Sequence, residues 1–439
     1  MQLSHGVECA PIKSLKPNPR NARTHNKSQI EQIAASIQEF GFNNPVLIDE
    51  NMSILAGHGR VEAAKLLGLA EVPVVRIEHL SDAQKRAYVL ADNKLAEKAG
   101  WDNHLLALEL GELAQLDLGF DITLTGFEMG EIDVLIEGLA TEPAEEPAPP
   151  APSDGPSITQ PGDIWQIGPH RLICGDSMDP DTYLRLLDDR KADLVFTDPP
   201  YNVPIDGHVS GLGKVQHREF AMATGEMSEV EFERFLATAF GHLASASKDG
   251  AIHFVCMDWR HMRETLNAGL SEYTELKNLC VWAKTNGGMG SLYRSQHELV
   301  FVFKSGTSPH TNNVNLGRNG RNRTNVWTYA GVNGFGTDRD AELAMHPTVK
   351  PVALVSDAIL DCSDRGGVVL DAFAGSGTTL LAAERTGRIG YGIELDPAYC
   401  DVILRRLVAE GLDPINEVTG IQFIKALAQI QEASDVEAA

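Results

Sequence analysis

The sequence predicts an α/β fold: a mostly parallel sheet covered by helices on both faces, preceded by a smaller α+β unit. Three observations predict it. In the back of the chain, apolar runs of strand length alternate with helical stretches. Two of those runs end on an acid and a stiff or glycine-rich turn, as strands do where a parallel sheet opens into its loops. Residues 141–161, TEPAEEPAPPAPSDGPSITQP, hold seven prolines and almost nothing apolar, so they form an acidic, semi-rigid linker between two parts.

The front part, residues 1–140, begins with short elements. Ser28 and Glu31 predict a capping box ahead of Ile30, Ile33, Ala34, Ile37 and Phe40, with Gly41 as the stop. PVLID and EVPVVRI are predicted strands, and ILAGHGRVEAAKLLG reads as strand, turn, helix. From Ser81 onward the pattern is helical, forming an extension. The back part spans 162–415. Its candidate strands are ADLVFT, GAIHFVCM, NLCVWAK, ELVFVFK, GVVLDAF and RIGYGIEL, with helices such as SEVEFERFLATAFGHLA and GTTLLAAERTG between them. Residues 416–439 are a C-terminal tail whose end, EASDVEAA, is expected to fray.

Composition narrows the function. The start, MQLSHGVECAPIKS, lacks the apolar stretch of a signal peptide, and no run approaches a membrane span. The six cysteines lie far apart without a CxxC pair or zinc-like spacing, so the expectation is a cytoplasmic protein with reduced thiols and no metal. A net charge of −24 argues against nucleic acid. Local charge reverses that: from Leu276 to Thr337 the only acid is Glu298, among Lys277, Lys284, Arg294, Lys304, Arg318, Arg321 and Arg323. Aromatics are interleaved there, so the window reads either as a surface that holds a phosphate backbone and reaches base edges or as a polar insertion loop.

Two motifs carry the chemistry. In ADLVFTDPPYNVPIDG, Leu194, Val195 and Phe196 suit a buried strand that Pro199 and Pro200 cannot extend, so Asp198 and Tyr201 stand at its mouth. In GGVVLDAFAGSGTTLLAAERTGRIGYGIELDP, a strand ends at Asp371 to Phe373, Gly375 and Gly377 turn into a helix, and the next strand closes on Glu394. An acid about 20 residues past a glycine turn is placed to accept ribose hydroxyls of a nucleoside cofactor. The third glycine of a dinucleotide site is replaced by Thr378.

DPPY followed much later by FAGSGTT resembles the S-adenosylmethionine-dependent amino-methyltransferases of DNA, in the motif order of their β class. The resemblance covers nearly all of residues 162–408. It implies a Rossmann-like methyltransferase sheet, S-adenosylmethionine as cofactor, double-stranded DNA as partner and, in many members, a homodimer. It also implies roles. Asp198, Pro199, Pro200 and Tyr201 would hold the target amine and base. CGDSM would bring Asp176 to the adenosine, and HPTVKP would bring His346, Thr348 and Lys350 near the cofactor's carboxylate. Asp371, Phe373, Gly375, Gly377, Thr378 and Glu394 would line the rest. Target recognition would occupy about 305–342, with Arg294, Arg318, Arg321 and Arg323 facing DNA. Asp at the first motif position resembles N6-adenine enzymes, whereas Ser is commoner among N4-cytosine enzymes.

In the front part, LKPNPRNARTH, FNNPVLID and ILAGHGRVEAAKLLGLAEVPVV resemble the partition-protein (ParB) and sulfiredoxin superfamily over roughly residues 10–100. Gly57, Gly59 and Arg60 at a helix start can cradle a phosphate, which makes a nucleotide a candidate ligand. The sulfiredoxin cysteine falls at His58, so its redox activity is not expected. Gly59 and Arg60 stand where partition proteins carry paired arginines, which weakens the case for nucleotide hydrolysis.

Overall fold

The computed structural model describes residues 6–116, 118–139, 149–150, 152, 155–202, 227–285, 292–317, 320–330 and 349–437. The chain divides into two compact units, Met1–Thr141 and Glu142–Ala439. No helix among the described residues is long and apolar enough to cross a membrane.

The front unit holds a four-stranded sheet in the order β1-β4-β2-β3, from β1 (Val7–Pro11), β2 (Val46–Ile48), β3 (Ile54–Ala56) and β4 (Glu71–Arg76). Val46, Ile48, Ile54 and Val74 form its core with Val61 and Ala64 of the helix His58–Leu66. The first helix, Lys27–Phe40, starts earlier than the sequence predicts. Asn26 is its cap, accepting from the Gln29 N–H at 2.7 Å. Asn caps as well as Ser and comes first, so Ser28 is absorbed into the first turn. Gly41, at φ 84°, ends the helix as expected. The extension contains helices Asp82–Ala96, Asn103–Leu113 and Met129–Glu137, and Leu110, Ile122 and Ile132 are buried within it.

The back unit is a ten-stranded sheet. Its strands are β5 (Ile164–Ile167), β6 (His170–Cys174), β7 (Ala192–Thr197), β8 (Ser247–Met257), β9 (Glu275–Lys284), β10 (His297–Lys304), β11 (Val326–Tyr329), β12 (Val368–Asp371), β13 (Ile389–Glu394) and β14 (Pro414–Asn416). They lie in the order β11-β9-β10-β8-β7-β12-β13-β6-β5-β14. The centre, β8-β7-β12-β13-β6, is parallel throughout. The flanks are not: β10 runs antiparallel to β8 and β9, and β5 and β14 form antiparallel pairs at the far edge. The mostly parallel sheet of the sequence reading therefore applies to the centre alone.

The apolar run of β7 is continuous because both of its faces are covered. Val195 joins the layer of Tyr183, Phe232, Leu236 and Phe240, whereas Leu194 and Phe196 face Leu354, Val355 and Leu381. The fold is thus an α/β Rossmann-like sheet with helices on both faces, behind a smaller α+β unit. Its core brings the carboxyl ends of β7, β12, β13 and β6 side by side.

Candidate active site

Four acids follow from that alignment. Asp198 leaves β7, Asp371 ends β12, Glu394 ends β13 and Asp176 follows β6. Both motifs therefore open at one end of the sheet, and a hydrogen bond joins them: the Thr197 hydroxyl donates to Asp371 at 3.0 Å.

Asp371 frames the glycine turn. Its carboxylate accepts from the Phe373 N–H at 3.0 Å and from the Thr379 hydroxyl at 2.6 Å. Burial pushes this acid up to about 6 against those hydrogen bonds. Gly375 and Gly377 turn the chain at φ 52° and 80°. A side chain at Gly377 would meet Ile403 at 2.8 Å, while one at Gly375 would meet nothing nearer than 3.9 Å. The Gly375 corner thus borders open space. Around it stand the half-buried Phe373 and Glu394 and the exposed Asp176.

Glu394 is held from both sides, accepting from the Gly375 N–H at 2.8 Å and from the Asp396 N–H at 2.8 Å. Burial pushes it up to about 7, against those two bonds. An oriented acid, an aromatic edge and an open backbone corner fit a nucleoside-bearing ligand. The sequence identified no third glycine to seat the helix, and β13 supplies the equivalent. Side chains at Gly390 and Gly392 would meet Leu380 at 2.9 and 2.8 Å, so bare strand backbone lets the helix Thr378–Arg385 settle onto the sheet.

Thr378 departs from its expected role. Its side chain is buried, with Ser376 Oγ at 3.5 Å and an Arg406 N–H donating to it at 3.4 Å, and Thr379 is the one beside Asp371.

The DPPY end is a buried charge cluster. The Tyr201 hydroxyl lies 2.7 Å from Asp198 Oδ1 and 3.1 Å from Glu298 Oε2. Lys350 Nζ lies 2.5 Å from Asp198 Oδ2, 3.1 Å from Glu298 Oε2 and 3.2 Å from the Tyr201 oxygen. Lys284 donates to the other Glu298 oxygen and sits 4.6 Å from the centre of the Trp282 ring. Burial pushes Glu298 up, but the two ammonium groups outweigh it and hold the acid at about 2. Asp198 is raised, by burial first and by Glu298, against Lys350 and Tyr201. Pro199 is buried behind it. Asn202, at φ 51°, closes the corner by pairing with the Met227 backbone at 2.8 and 3.2 Å.

Lys350 thus lies against the DPPY acid, although the sequence reading placed it by the cofactor's carboxylate with His346 and Thr348, which lie outside the described residues. Glu298 was missed as a site residue. Its signal was present, as the sole acid of a basic window at the head of an apolar strand.

The predicted DNA-facing arginines divide. Arg294 is exposed, beside exposed Leu292 and Tyr293. Arg321 and Arg323 are corrections to the sequence reading. Arg321 is 6% exposed and pairs with Asp357 at 2.8 Å and Asp361 at 3.1 Å, and Arg323 pairs with the same acids at 3.0 and 3.1 Å. Their charge pins the window to the helix Val352–Cys362. Arg318 lies outside the described residues.

In the front unit, Gly57 caps its helix at φ 98° and ψ 24°. Arg60 folds back over it, donating to the Pro45 carbonyl at 3.3 Å, and its Nε is buried with no hydrogen-bond partner among the described residues.

Residues 192–405 match the DNA methylase family of the N6/N4 type, residues 2–94 the ParB N-terminal domain, and residues 104–161 the ParB-methyltransferase HTH domain. The chain carries a DNA methylase domain of the N6/N4 type together with a ParB N-terminal domain. The methylase is 27% identical over 265 residues to the type II methyltransferase M.HpaI of Haemophilus parainfluenzae, covering 56% of this chain and 77% of that one. Its front unit is 50% identical over 76 residues to the ParB-like nuclease domain-containing protein YnaK of Escherichia coli (strain K12), covering 17% of this chain and 87% of that protein. Among solved structures, M1.HpyAVI aligns at 19% identity and a TM-score of 0.39, over 54% of this chain and 97% of that one.

Proposed function

We propose that the methylase transfers the methyl group of S-adenosylmethionine to the exocyclic N6 of adenine in duplex DNA. The observation that carries this reading is the union of the two motifs: Asp198 and Tyr201 open at the same sheet end as the Gly375 turn, bonded through Thr197 and Asp371. When bound, the cofactor supplies an electrophilic methyl on sulfur.

The protein's part is to position and to accept. Glu394 offers carboxylate oxygens to ribose hydroxyls, and Asp176 offers an acid toward the adenosine. Asp198 and the Pro199 carbonyl accept the two amine N–H groups, returning electron density to a nitrogen whose lone pair is otherwise delocalised into the ring. Asp198 would take up the proton that the amine sheds on gaining the methyl group, a task its raised pKa suits. The Tyr201 ring gives the extruded base a face to stack on. Asp at position 198 favours adenine over cytosine, following the pattern of the resembled enzymes. The exposed Leu292–Arg294 stretch faces DNA. In the front unit, the Gly57 turn with Arg60 binds an anion, either a nucleotide or a DNA phosphate.

The test is to incubate the full chain with isotopically labelled S-adenosylmethionine and unmethylated duplex DNA, then analyse the nucleosides by mass spectrometry. Labelled N6-methyladenine is expected. N4-methylcytosine would overturn the base assignment, and an absence of label would overturn the enzymatic reading.

A further inference from the structure

The Asp198 oxygens that the proposed reaction needs are both engaged. Lys350 has three N–H groups, and among the described residues three acceptors lie in reach: Asp198 Oδ2, Glu298 Oε2 and the Tyr201 oxygen. The Tyr201 hydroxyl has one hydrogen and two carboxylate oxygens to choose between, Asp198 Oδ1 at 2.7 Å and Glu298 Oε2 at 3.1 Å. That hydrogen has two stable positions, and a rotation about one bond exchanges them.

We propose that Glu298 is a positioning residue for methyl transfer, serving as the alternative acceptor to which the Tyr201 hydroxyl turns so that Asp198 Oδ1 can receive the target amine. The inference rests on the amine-methylating reading above. No atom leaves the protein in this step: one O–H···O bond is exchanged for another, and Asp198 gains an amine N–H in place of a phenol. Lys284 on the far oxygen of Glu298 keeps that acid ionised and able to accept. A buried hydroxyl with no second acceptor would have to surrender a hydrogen bond to a charged group when the base arrived, which costs about 1.5–3 kcal/mol. The arrangement also accounts for a buried acid in a window otherwise devoid of acids.

The groups facing Asp198 are Lys350, Glu298, Tyr201, Asp371 and Cys256. Asp198 must be ionised to accept, so the rate falls as pH drops through its pKa. Glu298 raises that pKa and the Tyr201 hydrogen bond lowers it. Removing the first moves the acid limb of the kcat profile to lower pH, and removing the second moves it to higher pH.

The experiment measures kcat, KM and the pH profile of the full chain on unmethylated duplex DNA for wild type, Glu298→Gln, Tyr201→Phe and the double variant. In Glu298→Gln the single amide oxygen goes to Lys284, which leaves an NH2 donor facing the Tyr201 hydroxyl, so this variant should lose about 10- to 100-fold in kcat, with KM for S-adenosylmethionine unchanged within about twofold. Tyr201→Phe in that background should recover part of the loss, because no hydroxyl then needs a second acceptor. A double variant no better than Glu298→Gln, or wild-type kcat in Glu298→Gln, would overturn the inference. If Glu298→Gln does not fold, the Tyr201→Phe profile decides, and an unmoved acid limb would overturn it. Wild type inactive on DNA would instead defeat the underlying reading.

Discussion

The same local device occurs twice in this chain and is surrounded differently each time. At Gly57 and at Gly377 a short strand turns through a left-handed glycine, φ 98° and 80°, into a helix whose first N–H groups have no intrahelical acceptor. At the second turn the neighbouring strand places an acid, Glu394, on the Gly375 N–H. At the first, a base bends back instead: a side chain on Gly57 would meet Arg60 Nη2 at 2.8 Å. Backbone geometry makes the corner, and on the proposed reading the charge beside it sets which ligand it takes. An acid suits sugar hydroxyls, and a guanidinium suits phosphate.

Five substitutions break or sharpen that contrast. The largest effect belongs to Asp198→Ala, which tests whether the acid-flanked turn serves a reaction. Methyl transfer to DNA should fall by about 10³-fold or more, while S-adenosylmethionine binding measured by calorimetry stays near wild type. Near-wild-type transfer would detach the DPPY corner from catalysis. Next is Arg321→Met, which contrasts an arginine spent on structure with Arg60, which has no ion pair among the described residues. Leaving Asp357 and Asp361 short of a partner should cost about 3–5 kcal/mol, read by denaturant unfolding of the full chain. A variant of wild-type stability that binds DNA more weakly would return Arg321 to the interface. Third, Gly377→Ala should destabilise by about 1–2 kcal/mol from the left-handed backbone alone, with the Ile403 contact adding to it. An unchanged melting temperature would show that the turn is less constrained than its φ implies.

The sequence revealed most where the backbone is constrained. Pro199, Pro200, Gly375 and Gly377 mark chain reversals whatever lies around them, so both halves of the site were legible. The central strands β7, β8, β12 and β13 were equally plain because a strand buried on two faces is a continuous apolar run. The strands β5, β6, β11 and β14 were not singled out: they are three to five residues long and carry no such run. Charge was legible as composition but not as destination. Arg321 and Arg323 read as DNA contacts because the acids that engage them lie 34–40 residues away on another element. Lys350 reaches Asp198 across 152 residues of sequence. Only the assembled sheet shows either pairing.

The smallest effect tests the acid at the second turn most directly. Burial holds Glu394 up at about 7, so below that pH its carboxyl is protonated and has one acceptor oxygen fewer for a ribose hydroxyl. Ligand binding favours the ionised form and must therefore pull the proton off. The sign follows: S-adenosylmethionine affinity should rise with pH and level off above about 7, changing by up to about tenfold per unit below it. Glu394→Gln has no proton to lose, so its affinity should be lower at pH 8 and flat from pH 6 to 8. Arg60→Ala should leave that whole profile untouched, since its turn lies in the other unit. A profile in Glu394→Gln that still rises with pH would place the titrating group elsewhere, with Asp371, pushed up to about 6, as the next acid to replace.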